Sequence, residues 1–412
     1  RRVHGEAMAT VVIPAALCAI LVTFASAEYI VDEKGGLQRL LPNQTLCSQF
    51  LHPAGYPCTE YAIQTDDGYL LALQRVASRH GQSKRPIGDP VLLLHGLFMG
   101  GDAWFLNSPE QSLGFILADE GFDVWVGNCR GTLWSGGHVS FSQKDKGFWD
   151  WSWQDLAEFD IAKMLQFIYS TTGSKVFIVG HSQGTIISLA ALTQQRTSEF
   201  VYAAAFLCPI SYLNHVSAPL VRRMVDVHLD QLVLSMGFHH LNFRSAILVN
   251  LLVSMCQQDI GCSDLLTSIT GKNCCFNDSR VNYYLEYEPH PSSVKNLRHL
   301  FQMIRKGTFA KYDYGLLSNL VVYGQPKPPA FDLSVIPKTV PLWMGYGGHD
   351  SLADVTDVMM LVKELSGEPH MLYLQDYGHV DFIVSSRGKE DVYKHLVSFF
   401  RSLQSYPNTI IL

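Results

Sequence analysis

Short, wholly apolar runs alternate with longer amphipathic stretches along the chain. The apolar runs occupy residues 91–94, 124–126, 176–179 and 203–207, and apolar residues at helical spacing occupy 156–169 and 186–195. Strands that are buried on both faces form such continuous apolar runs, and helices between successive strands make the strands parallel. The pattern therefore predicts an α/β fold with a mostly parallel central sheet flanked by helices. In such a sheet the chemistry lies on loops at the carboxyl ends of the strands.

The overall composition narrows the class of protein. Of the 412 residues, 47% are hydrophobic and 17% are charged, and the formal net charge is −6. A chain this long and apolar is not a disordered tail, and 31 basic against 37 acidic side chains are too evenly balanced for binding to nucleic acid. The length allows two or three domains, or one large α/β unit that carries an insertion.

The N-terminus has the pattern of a secretory signal peptide. An apolar run at 11–24 lies between two arginines and an Ala-Ser-Ala sequence that ends at Ala27. This arrangement predicts removal of residues 1–27, and residues 1–7, which precede Met8, are interpreted as leader sequence. A membrane anchor is the alternative, but about 14 apolar residues are too few to span a bilayer. We expect a mature chain without a transmembrane anchor, secreted to the extracellular space or delivered to a vacuole- or lysosome-like compartment.

The cysteines fit an exported protein. Of the nine cysteines, Cys18 leaves with the signal peptide, and the even number that remains permits disulfides. Six of them are disulfide candidates in two groups: Cys47 with Cys58, and Cys256, Cys262, Cys274 and Cys275. Cys129 and Cys208 lie beside predicted strand ends and are expected to be free, buried thiols. A metal site is disfavoured, since no Cys-x-x-Cys or His pair at ligand spacing is present. Glycosylation sequons at Asn43 and Asn277 predict surface loops.

A serine nucleophile is indicated at one of the predicted strand ends. Residues 180–184 read Gly-His-Ser-Gln-Gly and lie between the apolar run at 176–179 and a helix. A strand, a sharp turn and a helix are the context of a nucleophile elbow, in which the turn lifts the hydroxyl of Ser182 and leaves no room for side chains two residues to either side. The pentad alone is a weak signal, so the flanking strand and helix carry the prediction.

The groups that such a serine needs follow later strands. A loop with Asp350 leaves the apolar stretch 341–345, and a loop with His379 follows the stretch 371–374. The order Ser, Asp, His is that of α/β-hydrolases, and it makes Asp350 the candidate acid and His379 the candidate base.

The sequence also offers candidates for the oxyanion hole, and other aspartates and histidines that must be weighed against Asp350 and His379. The backbone N–H groups of Leu97 and Gln183 are the candidate oxyanion donors, because one follows the strand at 91–94 and the other follows the nucleophile. Three aspartates compete for the acid role: Asp354, which is expected inside the next helix, and Asp376 and Asp381, which are close to the base in sequence. Other histidines are expected to pack loops, at His95 and His181, or to lie on a solvated helix face, at His239 and His240.

Further motifs extend over most of the chain. They are Gly-Tyr-Pro at 55–57, Asp-Gly-Tyr-Leu-Leu at 67–71, Gly-Asn-Cys-Arg-Gly-Thr at 127–132, Tyr-Asp-Tyr-Gly at 312–315 and Gly-His-Val-Asp-Phe at 378–382. With these motifs in order over roughly residues 45–400, the chain resembles the acid lipase family, which includes the gastric and lysosomal lipases, and especially its plant triacylglycerol lipase members. The resemblance implies an α/β-hydrolase fold and the same assignment of Ser182, Asp350 and His379 as catalytic residues, with Leu97 and Gln183 as oxyanion donors.

The stretch between residues 207 and 341 has a different character. Apolar residues recur at helical spacing over 220–236, and residues 247–253 are almost solidly apolar. An ordinary buried helix is one interpretation. The other is a cap over the active site, whose apolar inner face binds acyl chains and is exposed when a lid opens at a lipid surface, and the resemblance favours it. We expect a hydrolase core at 28–208 and 336–405 and a mainly helical cap or lid insertion at 209–335.

The predicted activity is that of a serine ester hydrolase, a lipase that cleaves acyl esters of lipids such as triacylglycerols or sterol esters through an acyl-enzyme. No metal or organic cofactor is required, and the expected partners are the lipid ester and a lipid–water interface. An acyltransferase or an esterase for smaller esters would use the same triad, and a peptidase on this fold is disfavoured by the apolar insertion. A non-catalytic lipid-binding member of the fold would be expected to lose a triad residue, and this chain has all three.

Overall fold

The centre of the structure is a nine-stranded sheet that is mostly parallel. The structure is a computed structural model and describes residues 45–80, 88–243, 262–277 and 280–404. Its strands are β1 (Cys58–Gln64), β2 (Tyr69–Val76), β3 (Pro90–Leu94), β4 (Asp123–Gly127), β5 (Gly137–His138), β6 (Val176–His181), β7 (Val201–Leu207), β8 (His240–Leu241), β9 (Ser292–Ser293), β10 (Leu342–Gly347) and β11 (His370–Leu374). The strands β8 and β9 form a separate small sheet.

The strand order of the large sheet is β1-β2-β4-β3-β6-β7-β10-β11, with β5 paired to β2. The pairs from β4 to β11 are parallel, and β1, β2 and β5 pair antiparallel at one side. Every residue of β3, β4, β6 and β10 is buried, because helices cover both faces. The α/β fold predicted from the apolar runs is confirmed.

The helices cover the sheet and build the region between β7 and β10. They are α1 (Leu113–Asp119), α2 (Trp153–Asp155), α3 (Ile161–Thr172), α4 (Gln183–Leu192), α5 (Gln195–Ser198), α6 (Pro219–Asp226), α7 (Leu229–Ser235), α8 (Cys262–Thr270), α9 (Val281–Tyr287), α10 (Val294–Lys306), α11 (Leu316–Tyr323), α12 (Val355–Glu364), α13 (Asp381–Val384) and α14 (Lys394–Gln404). Within the described ranges, no helix has both the length and the apolar character that crossing a membrane requires.

Helix boundaries follow local chemistry. The α3 helix ends at Gly173, whose φ of 71° is a left-handed conformation that glycine adopts without steric cost. The α10 helix begins after Ser293, whose hydroxyl accepts hydrogen bonds from the backbone N–H groups of Lys295 and Asn296. It ends at Gly307, again with a positive φ of 62°. Ser293 and Gly307 thus fix the two ends of α10.

The region between β7 and β10 is mainly helical in its described part, since it holds α6 to α11. The expectation that His239 and His240 lie on a solvated helix face is wrong, because neither residue belongs to a helix. His240 belongs to β8, which pairs with β9, and its half-buried ring stacks on Trp149 with 4.6 Å between ring centroids. The partner strand β9 lies some fifty residues further along the chain, so the local sequence pattern does not predict this pairing.

A buried ion-pair cluster fixes the loop that follows β4. Arg130 is 1% exposed, and its guanidinium donates to Asp160 from Nε at 2.8 Å and to Asp67 from Nη2 at 2.9 Å. It also lies over the ring of Tyr69, 3.8 Å from the centroid. Two carboxylates and an aromatic face compensate the desolvation of this charge. The cluster joins the β1–β2 turn, the loop after β4 and the residues before α3.

The cysteines fall into three groups. Disulfides join Cys47 to Cys58 and Cys274 to Cys275. Cys129 and Cys208 are buried free thiols, as predicted. Cys262 begins α8, and Cys256, Asn43 and the predicted signal peptide lie outside the described residues.

Candidate active site

Ser182 lies on a sharp turn between β6 and α4. Its φ of 54° and ψ of −119° are unusual for a residue with a side chain, and such strain is typical of functional turns. Two glycines permit the turn, since a Cβ on Gly180 would lie 2.8 Å from the carbonyl oxygen of Gly184, and a Cβ on Gly184 would lie 2.3 Å from that of Leu94. The local geometry is therefore that of the predicted nucleophile elbow.

The two later loops bring Asp350 and His379 into contact. The Nδ1 atom of His379 lies 2.8 Å from Oδ2 of Asp350, and both residues are buried. The other carboxylate oxygen of Asp350 accepts hydrogen bonds of 2.8 Å from the backbone N–H groups of Leu352 and Ala353. With every oxygen engaged, the carboxylate is held in one orientation toward the imidazole.

Electrostatics keeps Asp350 charged. Burial alone would raise the pKa of this carboxyl, but the neighbouring His379 and the two backbone N–H groups outweigh burial and hold the pKa below its ordinary value. A charged Asp350 makes Nδ1 of His379 the protonated nitrogen and leaves Nε2 as the basic one. This Nε2 atom is buried and has no hydrogen-bond partner among the described residues.

The turn that carries Ser182 also contacts His379. The Nε2 atom of His181 lies 3.1 Å from the backbone oxygen of His379, and the two imidazole centroids are 5.0 Å apart. The thiol of Cys208, at the end of β7, donates to the same oxygen at 3.3 Å. Burial, with a smaller contribution from His379, lowers the pKa of His181 to about 3, so His181 is neutral and holds the His379 loop in place as a hydrogen-bond donor.

The candidate oxyanion donors lie on both sides of the serine. A Cβ on Gly96 would lie 3.2 Å from the Cβ of Ser182, which places the start of the Leu97 loop against Ser182. Gln183 is the first residue of α4, so its N–H is one of the unsatisfied donors at a helix N-terminus. Within the described residues neither of these two N–H groups has a hydrogen-bond partner. They are available to an anionic oxygen.

His95 supports this loop, as predicted. Its Nε2 atom accepts a hydrogen bond of 3.1 Å from the N–H of Cys129, and its Nδ1 atom lies 2.9 Å from the carbonyl oxygen of Gly96. The first contact makes Nε2 the acceptor, so Nδ1 carries the proton and donates to Gly96. Burial lowers the pKa of His95 to about 4, in agreement with a neutral ring.

The segment 270–275, in which the sequence indicated only candidate disulfides, also contributes to the site. The carbonyl oxygen of Thr270 accepts hydrogen bonds of 3.3 Å from the N–H groups of both Ser351 and His379. The N–H groups of Cys274 and Cys275 donate to the carboxylate of Asp381 at 2.9 and 3.2 Å. The segment 270–275, which precedes β10 in the chain, therefore bridges the two loops that carry Asp350 and His379.

The three competing aspartates have other roles. Asp354 lies just before α12 rather than inside it, and its carboxylate accepts a hydrogen bond of 2.7 Å from the N–H of Thr356 as a helix cap. Asp376 is exposed. Asp381 accepts from three backbone N–H groups, including that of Gly378 at 2.8 Å. Only Asp350, of these four, touches the imidazole of His379.

Two clusters of described residues bring three potential metal ligands within 4.8 Å of one another, His181 with Cys208 and His379, and Asp102 with Glu288 and His290. Both ring nitrogens of His290 already have partners, the N–H of Leu133 at 3.2 Å and the carboxylate of Asp102 at 3.0 Å. In the first cluster Asp350 engages Nδ1 of His379. Nε2 of His181 and the thiol of Cys208 both contact the backbone oxygen of His379. The sequon residue Asn277 is exposed.

Comparison with known proteins identifies the family of the chain. The α/β-hydrolase fold family matches residues 89–386, and a partial α/β-hydrolase lipase region matches residues 47–108. Triacylglycerol lipase 1 of Arabidopsis thaliana is 64% identical over 361 residues, which cover 88% of this chain and 91% of the relative. Gastric triacylglycerol lipase of Rattus norvegicus is 35% identical over 85% of this chain and 90% of its own.

Solved structures show the same fold at much lower sequence identity. A soluble variant of monoglyceride lipase from Saccharomyces cerevisiae, in complex with a substrate analogue, superposes with a TM-score of 0.53 at 14% identity, covering 84% of this chain and 96% of the other. A thermostable carboxyl esterase from Bacillus coagulans gives a TM-score of 0.52, also at 14% identity, covering 84% of this chain and 98% of the other. On the evidence of its sequence relatives and of its sheet, the chain belongs to the lipase family of the α/β-hydrolases.

Proposed function

We propose that the protein is a triacylglycerol lipase that hydrolyses lipid esters with Ser182 as nucleophile, His379 as general base and acid, and Asp350 as the residue that orients the base. The observation that carries the proposal is the buried 2.8 Å contact between Asp350 and His379, since the loop of His379 also contacts the turn of Ser182. The named triacylglycerol lipases among the relatives support the substrate class.

The reaction follows from the proton positions. Nε2 of His379 takes the proton of the Ser182 hydroxyl as its oxygen attacks the ester carbonyl, and the imidazolium that forms is stabilised by the charged Asp350. The negative charge that develops on the carbonyl oxygen is received by the N–H groups of Leu97 and Gln183, each worth on the order of 10²–10³ in rate. His379 then protonates the departing alcohol, and water repeats the cycle to release the fatty acid from Ser182.

The mainly helical region between β7 and β10 is proposed as a cap on this site. Its segment 270–275 contacts both catalytic loops, and Asn296 of α10 contacts Gln183. We propose residues 28–208 and 336–405 as the core and 209–335 as the insertion. The signal-like N-terminus, the sequons at Asn43 and Asn277 and the disulfides support passage through the secretory pathway.

A panel of esters of increasing acyl length, presented in solution and as emulsions, tests the proposal. Ser182→Ala is expected to lose activity by a factor on the order of 10⁴ or more on every ester, because the nucleophile is removed. The matched control is Ser170→Ala, on the exposed face of α3, which should retain wild-type activity.

Two results would contradict the proposal. Activity that survives in Ser182→Ala would exclude the assigned nucleophile. A preference for short, soluble esters with no gain at an emulsion surface would show an esterase rather than a lipase, and acyl transfer to added alcohols in preference to water would show an acyltransferase.

A further inference from the structure

The α11 helix exposes an unusual amount of apolar surface. Over its eight residues, five aliphatic side chains are between 45% and 87% exposed: Leu316, Leu317, Leu320, Val321 and Val322. Single exposed aliphatic residues are normal on a protein surface, but five on two turns of one helix form a contiguous patch. The aromatic ring of Tyr314, just before the helix, is 39% exposed.

Polar contacts, not apolar packing, hold α11 to the protein. Asn319 is its one buried residue and accepts from the N–H of Tyr314 at 3.0 Å while donating to Asp313 at 2.7 Å and to the carbonyl oxygen of Pro326 at 3.1 Å. The hydroxyl of Tyr323 donates to the carbonyl oxygen of Tyr312 at 2.9 Å. Hydrogen bonds of Asn319 in the middle of the helix and of Tyr323 at its last residue thus fix α11, and its aliphatic side chains remain available for another contact.

The helix lies at the same edge of the sheet as Ser182. Gln154 of α2 accepts hydrogen bonds from the N–H of Tyr312 at 2.9 Å and from the hydroxyl of Tyr323 at 3.4 Å. The helical segment between α2 and α3 ends at Asp160, whose carboxylate binds Arg130. Arg130 lies three residues past the carboxyl end of β4. Because β4 and β6 are parallel in the sheet, this is also the edge at which β6 ends and Ser182 follows.

We propose that the aliphatic face of α11 is a docking surface that inserts into the surface of a lipid phase and holds the active-site edge of the enzyme against it. The inference rests on the proposed function, since an enzyme that cleaves water-insoluble esters must meet them at such a surface. A short helix with aliphatic side chains on its outer face lies at the level of lipid headgroups with those side chains among the acyl chains.

A second copy of the chain fits the patch less well. Five partly covered aliphatic side chains expose on the order of 500 Å², the size of the largest patch on an ordinary monomer. Each partner in a stable protein interface contributes roughly 800 Å². A lipid surface needs no complementary shape and accepts an area of this size, because each buried aliphatic group adds to binding independently.

Binding to lipid vesicles distinguishes a lipid surface from a second copy of the chain as the occupant of this patch. The full chain carrying Leu317→Ser and Val321→Ser, the two most exposed positions, is compared with wild type on vesicles of ether-linked phosphatidylcholine, which contain no ester to hydrolyse. We expect the partition coefficient in a flotation assay to fall by at least about tenfold, while kcat/KM on a short soluble ester is unchanged. The matched control replaces Val139 and Val227 by serine, since both are exposed aliphatic residues outside the patch, and its partition should equal that of wild type.

Three outcomes would overturn the proposal. Equal partition of the double variant and the wild type would exclude lipid docking by α11. A lipid-free wild-type dimer that the double substitution converts to monomers would assign the face to a second copy, and a drop in melting temperature without lipid would assign it to another segment of this chain. The soluble ester assay is independent of all three, so a failure of the proposed hydrolase activity is recognised separately.

Discussion

The side-chain amide of Asn296 donates a hydrogen bond of 2.8 Å to Oε1 of Gln183, and both residues are buried. Asn296 belongs to the first turn of α10, in the proposed insertion, whereas Gln183 is the first residue after the proposed nucleophile. The contact therefore links the insertion to a residue whose backbone N–H is a proposed oxyanion donor.

We expect Asn296→Ala to lower kcat on a soluble ester by about tenfold with little change in KM. The substitution leaves the buried Oε1 of Gln183 without a partner, and the residue will shift to recover one, which misplaces its N–H by a fraction of an ångström. Steady-state kinetics measure this effect. The control Ser292→Ala removes the other, 3.3 Å, partner of the same amide and should leave kcat within about twofold. Equal losses of kcat in both variants would show that the contact is only structural.

Asp350 and Asp354 form a matched pair for testing the acid. Asp350→Asn should reduce kcat by a factor on the order of 10³–10⁴, because an amide at this position no longer stabilises the imidazolium of His379. Asp354→Asn keeps an acceptor for the N–H of Thr356 and should remain within about twofold of wild type. The reverse result would move the acid role to Asp354.

Gly184→Ala should damage both stability and activity. The added Cβ would lie 2.3 Å from the carbonyl oxygen of Leu94, a backbone atom in a buried strand that has no room to move. We expect a loss of about 2–3 kcal/mol in the free energy of unfolding and at least a hundredfold loss of kcat. Urea unfolding and kinetics measure the two effects. The control Gly367→Ala meets nothing closer than 3.9 Å and should change stability by less than about 0.5 kcal/mol.

Stability should fall on acidification below pH 6.5 because of buried histidines. Burial lowers the pKa of His95 to about 4 and that of His181 and His299 to about 3, whereas the ordinary value is 6.5. Between these values the unfolded chain binds protons that the folded chain does not, so stability that is fully present above pH 6.5 is lost as the pH falls toward the folded-state pKa. At pH 5 each histidine contributes a loss of about 2 kcal/mol.

Urea unfolding at pH 7 and pH 5 checks this prediction with two variants. His299→Gln, at a buried ring that stacks on Trp153, should reduce the difference between the two pH values by about 2 kcal/mol. His395→Gln, at an exposed position on α14, should leave the difference unchanged. An equal difference in wild type and His299→Gln would mean that this ring is protonated in the folded protein.

Much of the fold follows from patterns that are local in the chain. The run at 91–94 falls inside β3 and the run at 203–207 lies within β7, because strands covered on both faces need continuous apolar side chains. The contact between Asp350 and His379 could also be predicted from the sequence, because loops that follow parallel strands lie at one edge of the sheet. Contacts between residues that are far apart in the sequence could not be predicted from these local patterns.

Three residues illustrate the limit. His240 looks like a surface residue in its own neighbourhood, and only the pairing with β9 reveals its stacking on Trp149. Asn296 gives no local sign that it reaches Gln183. The apolar residues of α11 resemble a core segment in the sequence. In the structure, however, Val321 is 87% exposed, because local hydrophobicity does not determine which side chains are buried.

Segment 270–275 has a consequence for biosynthesis. Its backbone holds the loops of Asp350 and His379 together, yet it is made by the ribosome before either loop exists. The proposed acid and base therefore come together only after nearly the whole chain has been translated and the segment has found its place between them. Hydrolysis of lipid esters is then a property of the finished molecule, because a partly made chain lacks the assembled pair of Asp350 and His379.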